Sequence, residues 1–267
     1  MSTLLPRTPA PGGFAGHADL VWRPAAERFH SQHSWLDSWH SFSFADHLDP
    51  AWMGFGPLRV INDDRIAAGR GFDMHRHRDM EIITVMLEGE LSHQDSIGHH
   101  SSLRAGEVQC MSAGSGILHS EINRSEQSCH LLQIWIEPSH QGGTPRYDQR
   151  PFAEAAGWTL LLDPEARGGA MAIQRPVRLW RGRLRGGARL EMPLAAGTEG
   201  WIQMIAGELE LSVHGPSGSC TGRLRQGDGL GLKADRSANG AAALTAGPRA
   251  SLTALDTGAD LLCFELR

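Results

Sequence analysis

The chain is short of the features that would place it in several common classes. Its four cysteines, Cys110, Cys129, Cys220 and Cys263, are widely separated and form no CxxC. That pattern suggests neither a zinc ribbon nor a disulfide framework, and reduced thiols are expected. Positive charge is not in excess: a formal net charge of −5 and a pI of about 6.3 give no basic footprint. Phosphate recognition needs clustered Lys and Arg, so no direct nucleic-acid partner is expected. No run approaches the roughly 18 apolar residues of a membrane helix, and the opening MSTLLPRTPAPGG has too short an apolar stretch for a signal peptide. A cytoplasmic monomer with no membrane partner is the expectation. Helical patterns are few; DQRPFAEAAG reads as one, with Pro151 near its start and Glu154, Ala155 and Ala156 following.

What the chain has is short apolar runs punctuated by turns. Its 32 glycines and 14 prolines are spread between segments such as EIITVMLEGEL, LLQIWIEP and GWIQMIAGELEL. Many short strands joined by tight turns predict a sandwich or barrel, and 267 residues suffice for a core that needs no staples.

The chain also repeats itself. MLEGEL at 86–91 followed by LRAGE at 103–107 recurs as MIAGEL at 204–209 followed by LRQGD at 224–228. Each copy reads as strand, Gly-Glu turn, strand, and a Gly-Asp/Glu turn that reverses the chain. The stretch between the copies is rich in Gly, Pro and polar residues. The expected division is an N-terminal domain over 1–140, a linker over 141–157 and a C-terminal domain over 158–267.

The repeat serves as an internal control for HRHRDME (75–81) and HSE (119–121). Side chains at i and i+2 of a strand share a face, so His75 projects with His77, and His119 with Glu121. Measured from the shared turns, these four positions fall on Pro193, Ala195, Gly240 and Ala242 in the second copy, whereas Glu81 falls on Glu199. The four are absent together while the turns remain, as expected of one site confined to the first domain. Three imidazoles and a carboxylate suit one divalent transition metal. The carboxylate favours Fe(II) or Mn(II), and Ni, Cu, Co or Zn are the other metals such a set accepts. Four protein ligands on an octahedral ion leave two positions for substrate, water or O2.

Other residues have plainer readings. His93, His99, His100 and His130 are expected not to be ligands, with His99 and His100 in a solvated loop and His93 as a candidate neighbour of the pocket. Trp35, Trp39, Phe42 and Phe44 are expected to pack the N-terminal segment over the barrel. Asp63 and Asp64 read as turn residues beside a strand, with Arg59 a candidate partner.

GRGFDMHRHRDMEIITVMLEGELSHQDSIGH and LRAGEVQCMSAGSGILHSEIN resemble the two motifs of the pirin family, in the cupin superfamily, as does the upstream SWLDSWHSFSFADHLDPAWMGFGPLRVINDDRI. The likeness is continuous from about residue 28 to 148. Beyond that it is carried by VRLWRG, MIAGELEL and LRQGD. The resemblance implies an all-β bicupin of two antiparallel β-barrel (jelly-roll) domains, with metal in the N-terminal one only. It implies His75, His77, His119 and Glu121 as ligands, Fe(II) first among the metals. Glu81 occupies the place of the general cupin glutamate ligand, which the pirin pattern does not use, and its retention as Glu199 points to a structural role. Some pirin-like proteins resemble quercetin 2,3-dioxygenases. The implied activity is therefore oxygenative ring cleavage of a flavonol-like aromatic substrate with O2, with Glu121 as the catalytic proton acceptor. The alternative is a metal-binding, redox-sensitive regulatory protein that acts through a protein partner without turnover.

Overall fold

The computed structural model describes residues 13–14, 17–215, 218–234 and 249–267. Among these residues there are twenty strands, three single-turn 3-10 helices and no α-helix. The first half carries β1 (Leu20–Arg23), β2 (Phe29–Gln32), β3 (Leu36–His40), β4 (Leu58–Ile66), β5 (Gly71–His77) and β6 (Glu81–Glu88). It continues with β7 (Glu90–Asp95), β8 (His100–Arg104), β9 (Glu107–Ser112), β10 (Ile117–Ile122) and β11 (Cys129–Ile136). There follow β12 (Arg146–Pro151), β13 (Gly157–Asp163), β14 (Met171–Ala172), β15 (Arg178–Leu184) and β16 (Arg189–Glu191). The last are β17 (Glu199–Gly215), β18 (Gly218–Arg225), β19 (Gly229–Leu232) and β20 (Arg249–Leu266).

Two sheets face each other in the first half: a seven-stranded one in the order β12-β9-β6-β11-β4-β3-β2 and a four-stranded one in the order β5-β10-β7-β8. A nine-stranded sheet built on β1-β19-β17-β20-β15-β13-β14 forms the second half, with β16 on β20 and β18 on β17. This is the expected all-β bicupin with jelly-roll sheets.

β6 shows how the sequence positions the layers. Its Ile82, Ile83, Thr84 and Val85 are β-branched and favour an extended chain, and the strand is buried on both faces from Glu81 to Met86. Ile83 and Val85 enter a core that also contains Phe42, Phe55, Trp201 and Phe264, so one apolar cluster spans both halves. Ile82 and Met86 lie on the other side, in the two smaller clusters of the N-terminal half. Phe42 meets Trp201 across the halves with ring centroids 4.8 Å apart.

The repeat is reproduced in the backbone. Gly89 and Gly207 have φ of 76° and 75°, and Gly106 and Gly227 have 85° and 83°, a region that glycine enters without strain. The Gly106 and Gly227 amides donate to Met86 and Met204 at the same 3.1 Å, and Ala105 and Gln226 donate to Gly89 and Gly207, also at 3.1 Å. The function of these turns differs from the expectation. β6 pairs with β9 in one sheet and β7 with β8 in the other, so Gly89 and Gly106 are corners where a two-stranded ribbon changes sheets. The chain reverses beyond β7, at Gly98.

The helix expected over DQRPFAEAAG is not formed: Arg146–Pro151 is strand β12, paired with β9 from Tyr147↔Met111 to Arg150↔Val108. The alternation of Tyr147 and Gln149, both turned to polar partners in the N-terminal half, outweighs the local helical preference of Glu and Ala. Asp63 and Asp64 are also not in a turn but within β4. Asp63 pairs with Arg28 at 3.2 Å and with His130 at 2.6 Å, while Arg59 pairs with Glu137 instead.

Candidate metal centre and its cavity

β10 lies between β5 and β7, and its inward side chains meet those of both neighbours. His119 stands opposite His75, and Glu121 stands opposite His93. The β5 register slips between His119 and Glu121, so that Glu121 faces Phe72. This irregularity lets the carbonyl of Asp73 approach the His75 ring, whose Nδ1 lies 2.7 Å from it. A ring nitrogen beside a carbonyl oxygen carries the proton, so Nε2 keeps its lone pair.

The three imidazoles of the sequence pairs lie together, while Glu121 groups with His119 and His93. Ring centroids are 4.4 Å apart for His75 and His119, 4.7 Å for His75 and His77, and 5.0 Å for His77 and His119. Their ligating nitrogens all lie within 4.8 Å of one another, and so do the ligating atoms of His93, His119 and Glu121. His119 belongs to both groups. It is fully buried, and neither of its ring nitrogens has a hydrogen-bond partner. Burying an unpaired imidazole is costly, and a cation bound to its lone pair offsets the part of that cost due to the bare nitrogen, so the donor set fits a metal ion. Burial, followed by the neighbouring His75 and His93, lowers the His119 pKa to about 3. His77 falls to about 4, through burial first and then His119 and His75. Both rings therefore offer neutral nitrogen donors at neutral pH.

Glu121 is held from behind. Its Oε1 accepts from Gln109 Nε2 at 3.0 Å, and Thr84 Oγ1 lies 3.3 Å away. Gln109 Oε1 in turn accepts from the Tyr147 hydroxyl at 3.2 Å, so β12 braces the carboxylate through one intermediary. Tyr147 stacks between His93 and His99, at 4.6 and 4.8 Å. Asp95 bonds both of these imidazoles, at 3.3 Å to His93 Nε2 and 2.9 Å to His99 Nδ1. His99 is thus anchored through its ring rather than simply solvated, and His93 reaches the centre. His100 is exposed and His130 is committed to Asp63. Met74 points away from the imidazoles, 49% exposed. Glu81 is not among the clustered ligand atoms. Its Oε2 accepts from Ser112 Oγ at 2.8 Å and from the Gln174 amide at 3.3 Å, tying the first half to the second. Pro193 and Ala195 stand where His75 and His77 have their counterparts, whereas Gly240 and Ala242 lie outside the described residues.

His75, His77 and Glu121 open onto a cavity of about 330 Å³ whose walls include Trp35, Phe44, Phe72 and Trp135. Trp135 meets His77 edge-on at 4.9 Å. Two of the four aromatics expected to pack the N-terminal segment, Trp35 and Phe44, thus line the cavity. Phe42 is in the shared core, and Trp39 stacks on His30 at 4.0 Å. Sequence reasoning missed Gln109, Thr84, Tyr147 and Asp64, which carry no motif; the His93-x-Asp95 alternation on β7 was a usable signal for one neighbour.

Residues 23–136 match the family profile described as Pirin, and residues 160–266 match the one described as the quercetinase C-terminal cupin domain. The quercetin 2,3-dioxygenase of Escherichia coli K12 is 49% identical over 194 residues, 72% of this chain and 84% of that protein. The chain belongs to the pirin family. A pirin-like protein of Caulobacter vibrioides is 39% identical over 207 residues, 76% of this chain and 86% of its own. In three dimensions this pirin is similar to the crystal structure of YhhW from E. coli, with a TM-score of 0.81, 42% identity, and coverage of 93% of this chain and 97% of that one. A second structure of that bacterial pirin is a complex with nickel(II), with a TM-score of 0.80, 42% identity, and coverage of 92% and 98%. No helix among the described residues is long and apolar enough to cross a membrane.

Proposed function

We propose that this pirin holds one divalent transition metal on His75, His77, His119 and Glu121 and acts as an enzyme of the quercetin 2,3-dioxygenase type. Its substrate would be a flavonol-like aromatic, opened at the central ring with O2. The observation that carries the reading is His119, buried with both ring nitrogens unpartnered between His75 and Glu121, beside an aromatic-walled cavity. Fe(II) is the first metal to test, with Mn, Ni, Cu, Co and Zn after it; the nickel(II) bound by YhhW supports a transition-metal site. When bound, the metal would supply Lewis acidity to a substrate hydroxyl and a place for O2 to react.

The chain's own residues prepare that chemistry. The Asp73 carbonyl holds His75 with Nε2 as donor. Gln109 and Thr84 hold Oε1 of Glu121, which leaves Oε2 to meet the cation or to accept the proton of a bound enol hydroxyl. Trp35, Phe44, Phe72 and Trp135 present faces and edges that sandwich a flat ring and keep water from it. Asn62 and Gln133 line the same cavity and offer hydrogen bonds to peripheral hydroxyl groups. The name of the E. coli relative supports the reaction.

The test loads purified protein with each metal in turn, adds quercetin, and follows loss of the flavonol absorption together with O2 uptake and carbon monoxide release. Turnover that disappears in Glu121→Gln supports the proposal. Inactivity with every metal rules out quercetin as the substrate. Metal analysis tests the site separately: His119→Ala and Glu121→Ala should lose or weaken binding, while His100→Ala should not.

A further inference from the structure

A second line of polar groups reaches the same cavity from the outer strands. His47 Nε2 lies 3.1 Å from Ser31 Oγ, and Ser31 Oγ lies 2.9 Å from His40 Nε2. His40 Nδ1 lies 2.8 Å from Asn62 Oδ1 and 3.4 Å from Ser38 Oγ, and Ser38 donates to Asp64. His40, Ser38 and Asp64 are buried, while His47 is partly exposed. Asp64, His40 and Ser38 all line the cavity that holds His75 and Glu121.

The donor pattern is directional. Nδ1 of His40 faces the acceptor oxygen of Asn62, so it carries the proton, and Nε2 is left to accept from Ser31. With its hydroxyl proton committed to His40, Ser31 accepts from His47. Ser38, facing His40 Nδ1–H on one side, gives its own proton to Asp64. The His47, Ser31 and Ser38 donors point from the surface toward the carboxyl group, while the His40 Nδ1–H rests on Asn62 Oδ1 and must turn to Ser38, 3.4 Å away, to pass its proton on.

We propose that His47, Ser31, His40 and Ser38 form a proton relay that connects solvent to Asp64, a carboxyl group serving the metal cavity. A proton taken up at His47 Nδ1 releases the one on Nε2 to Ser31, whose hydroxyl proton passes to His40 Nε2. His40 gives its Nδ1 proton to Ser38, and Ser38 gives its hydroxyl proton to the Asp64 carboxylate. One proton enters, one is bound, and each intermediate group returns to its protonation number; His47 and His40 are left in the opposite tautomer, which must revert before the line carries a second proton. An oxygen anion on a bound ligand takes the Asp64 proton as its new O–H bond forms, and the carboxylate left behind is reloaded while the ligand fills the cavity mouth. Only this use of the relay rests on the flavonol reading.

The electrostatics agree. Burial pushes Asp64 up to about 7, opposed by the Ser38 hydrogen bond and aided by the charges of Asp63 and Glu121, so it exchanges a proton near neutrality. Burial lowers His40, opposed by Asn62 and aided by His47, Arg28 and His30, so it transmits a proton rather than storing one.

PH-jump infrared spectroscopy on the metal-loaded protein tests the relay, with and without anaerobic quercetin. The carboxyl band of Asp64 is identified as the band that Asp64→Asn removes. In Ser31→Ala and His47→Gln the band should keep its amplitude while its half-time lengthens by about tenfold or more, and Ser31→Thr should restore the rate. A network that only satisfies buried polar groups would leave the rate unchanged in both variants, and that result overturns the relay, as does the absence of a titrating Asp64 band. Failure of quercetin to bind counts against the flavonol reading alone, because the ligand-free arm still reads the relay.

Discussion

The Nδ1 nitrogen of His75 lies 2.7 Å from the carbonyl oxygen of Asp73, two residues earlier on its own strand. The orientation of this imidazole is therefore written into the β5 backbone and does not depend on a replaceable side chain. Glu121 is oriented in the opposite way, by the side chains of Gln109 and Thr84.

Metal titration should separate these two kinds of support. Asp73→Ala leaves the carbonyl in place and should change affinity by less than about twofold. Gln109→Leu removes the 3.0 Å donor to Glu121 and should weaken affinity by roughly 10–100-fold, the range for loss of an outer partner of a ligand. Equal affinities in the two variants would contradict the proposed role of Glu121.

Asp64 should make stability pH-dependent in a direction opposite to that of most carboxylates. Its folded pKa of about 7 lies above the ordinary aspartate value of 3.8, so between those limits the folded state binds the extra proton and stability falls as pH rises. Asp64→Asn should therefore gain stability relative to the parent as pH goes from about 4 to 7. The gain is at most about 4 kcal/mol, from about 1.4 kcal/mol per pKa unit. Urea unfolding of the metal-free proteins across that range checks the sign; a gap that narrows with rising pH would be the wrong one.

Trp201 is fully buried and touches Phe42 and Phe55 at centroid distances of 4.8 and 5.4 Å. Trp201→Ala should cost about 3–5 kcal/mol. Because the core it leaves is shared, tryptophan-free probes placed in either half should report the same loss.

Gly207 has φ of 75°, and a Cβ there would lie 2.0 Å from the Gly258 carbonyl oxygen, whereas one on Gly69, at φ of 69°, would meet nothing within 4 Å. Gly69→Ala should cost about 1 kcal/mol from backbone strain alone, and Gly207→Ala distinctly more. Thermal melts of the two variants measure the difference.

The sequence made the repeat, the all-β architecture and the gathering of the His75, His77 and His119 imidazoles legible, because strand alternation and turn glycines act over a few residues. Contacts that depend on register between distant strands were not legible. Gln109 reaches Glu121 only because β9 and β10 belong to facing sheets, and Tyr147 reaches Gln109 only because β12 joins the sheet edge beside β9. Asp64 resembled a turn residue because acidic pairs favour turns. Its burial in β4 is set by the cavity, which no local pattern encodes.

β1 precedes the half with the candidate metal site in sequence yet completes the far sheet through Leu20↔Leu232, while β12, leaving that half, closes the near sheet against β9. The two halves are therefore clasped like interlocked fingers rather than strung as beads. Cutting the chain between β11 and β13 would strip an edge strand from one piece or the other, and removing the segment before Arg23 would leave the edge of β19 unpaired in the distant sheet. Dissecting this protein into separately usable modules would call for a circular permutation or a grafted strand, not for a shorter gene.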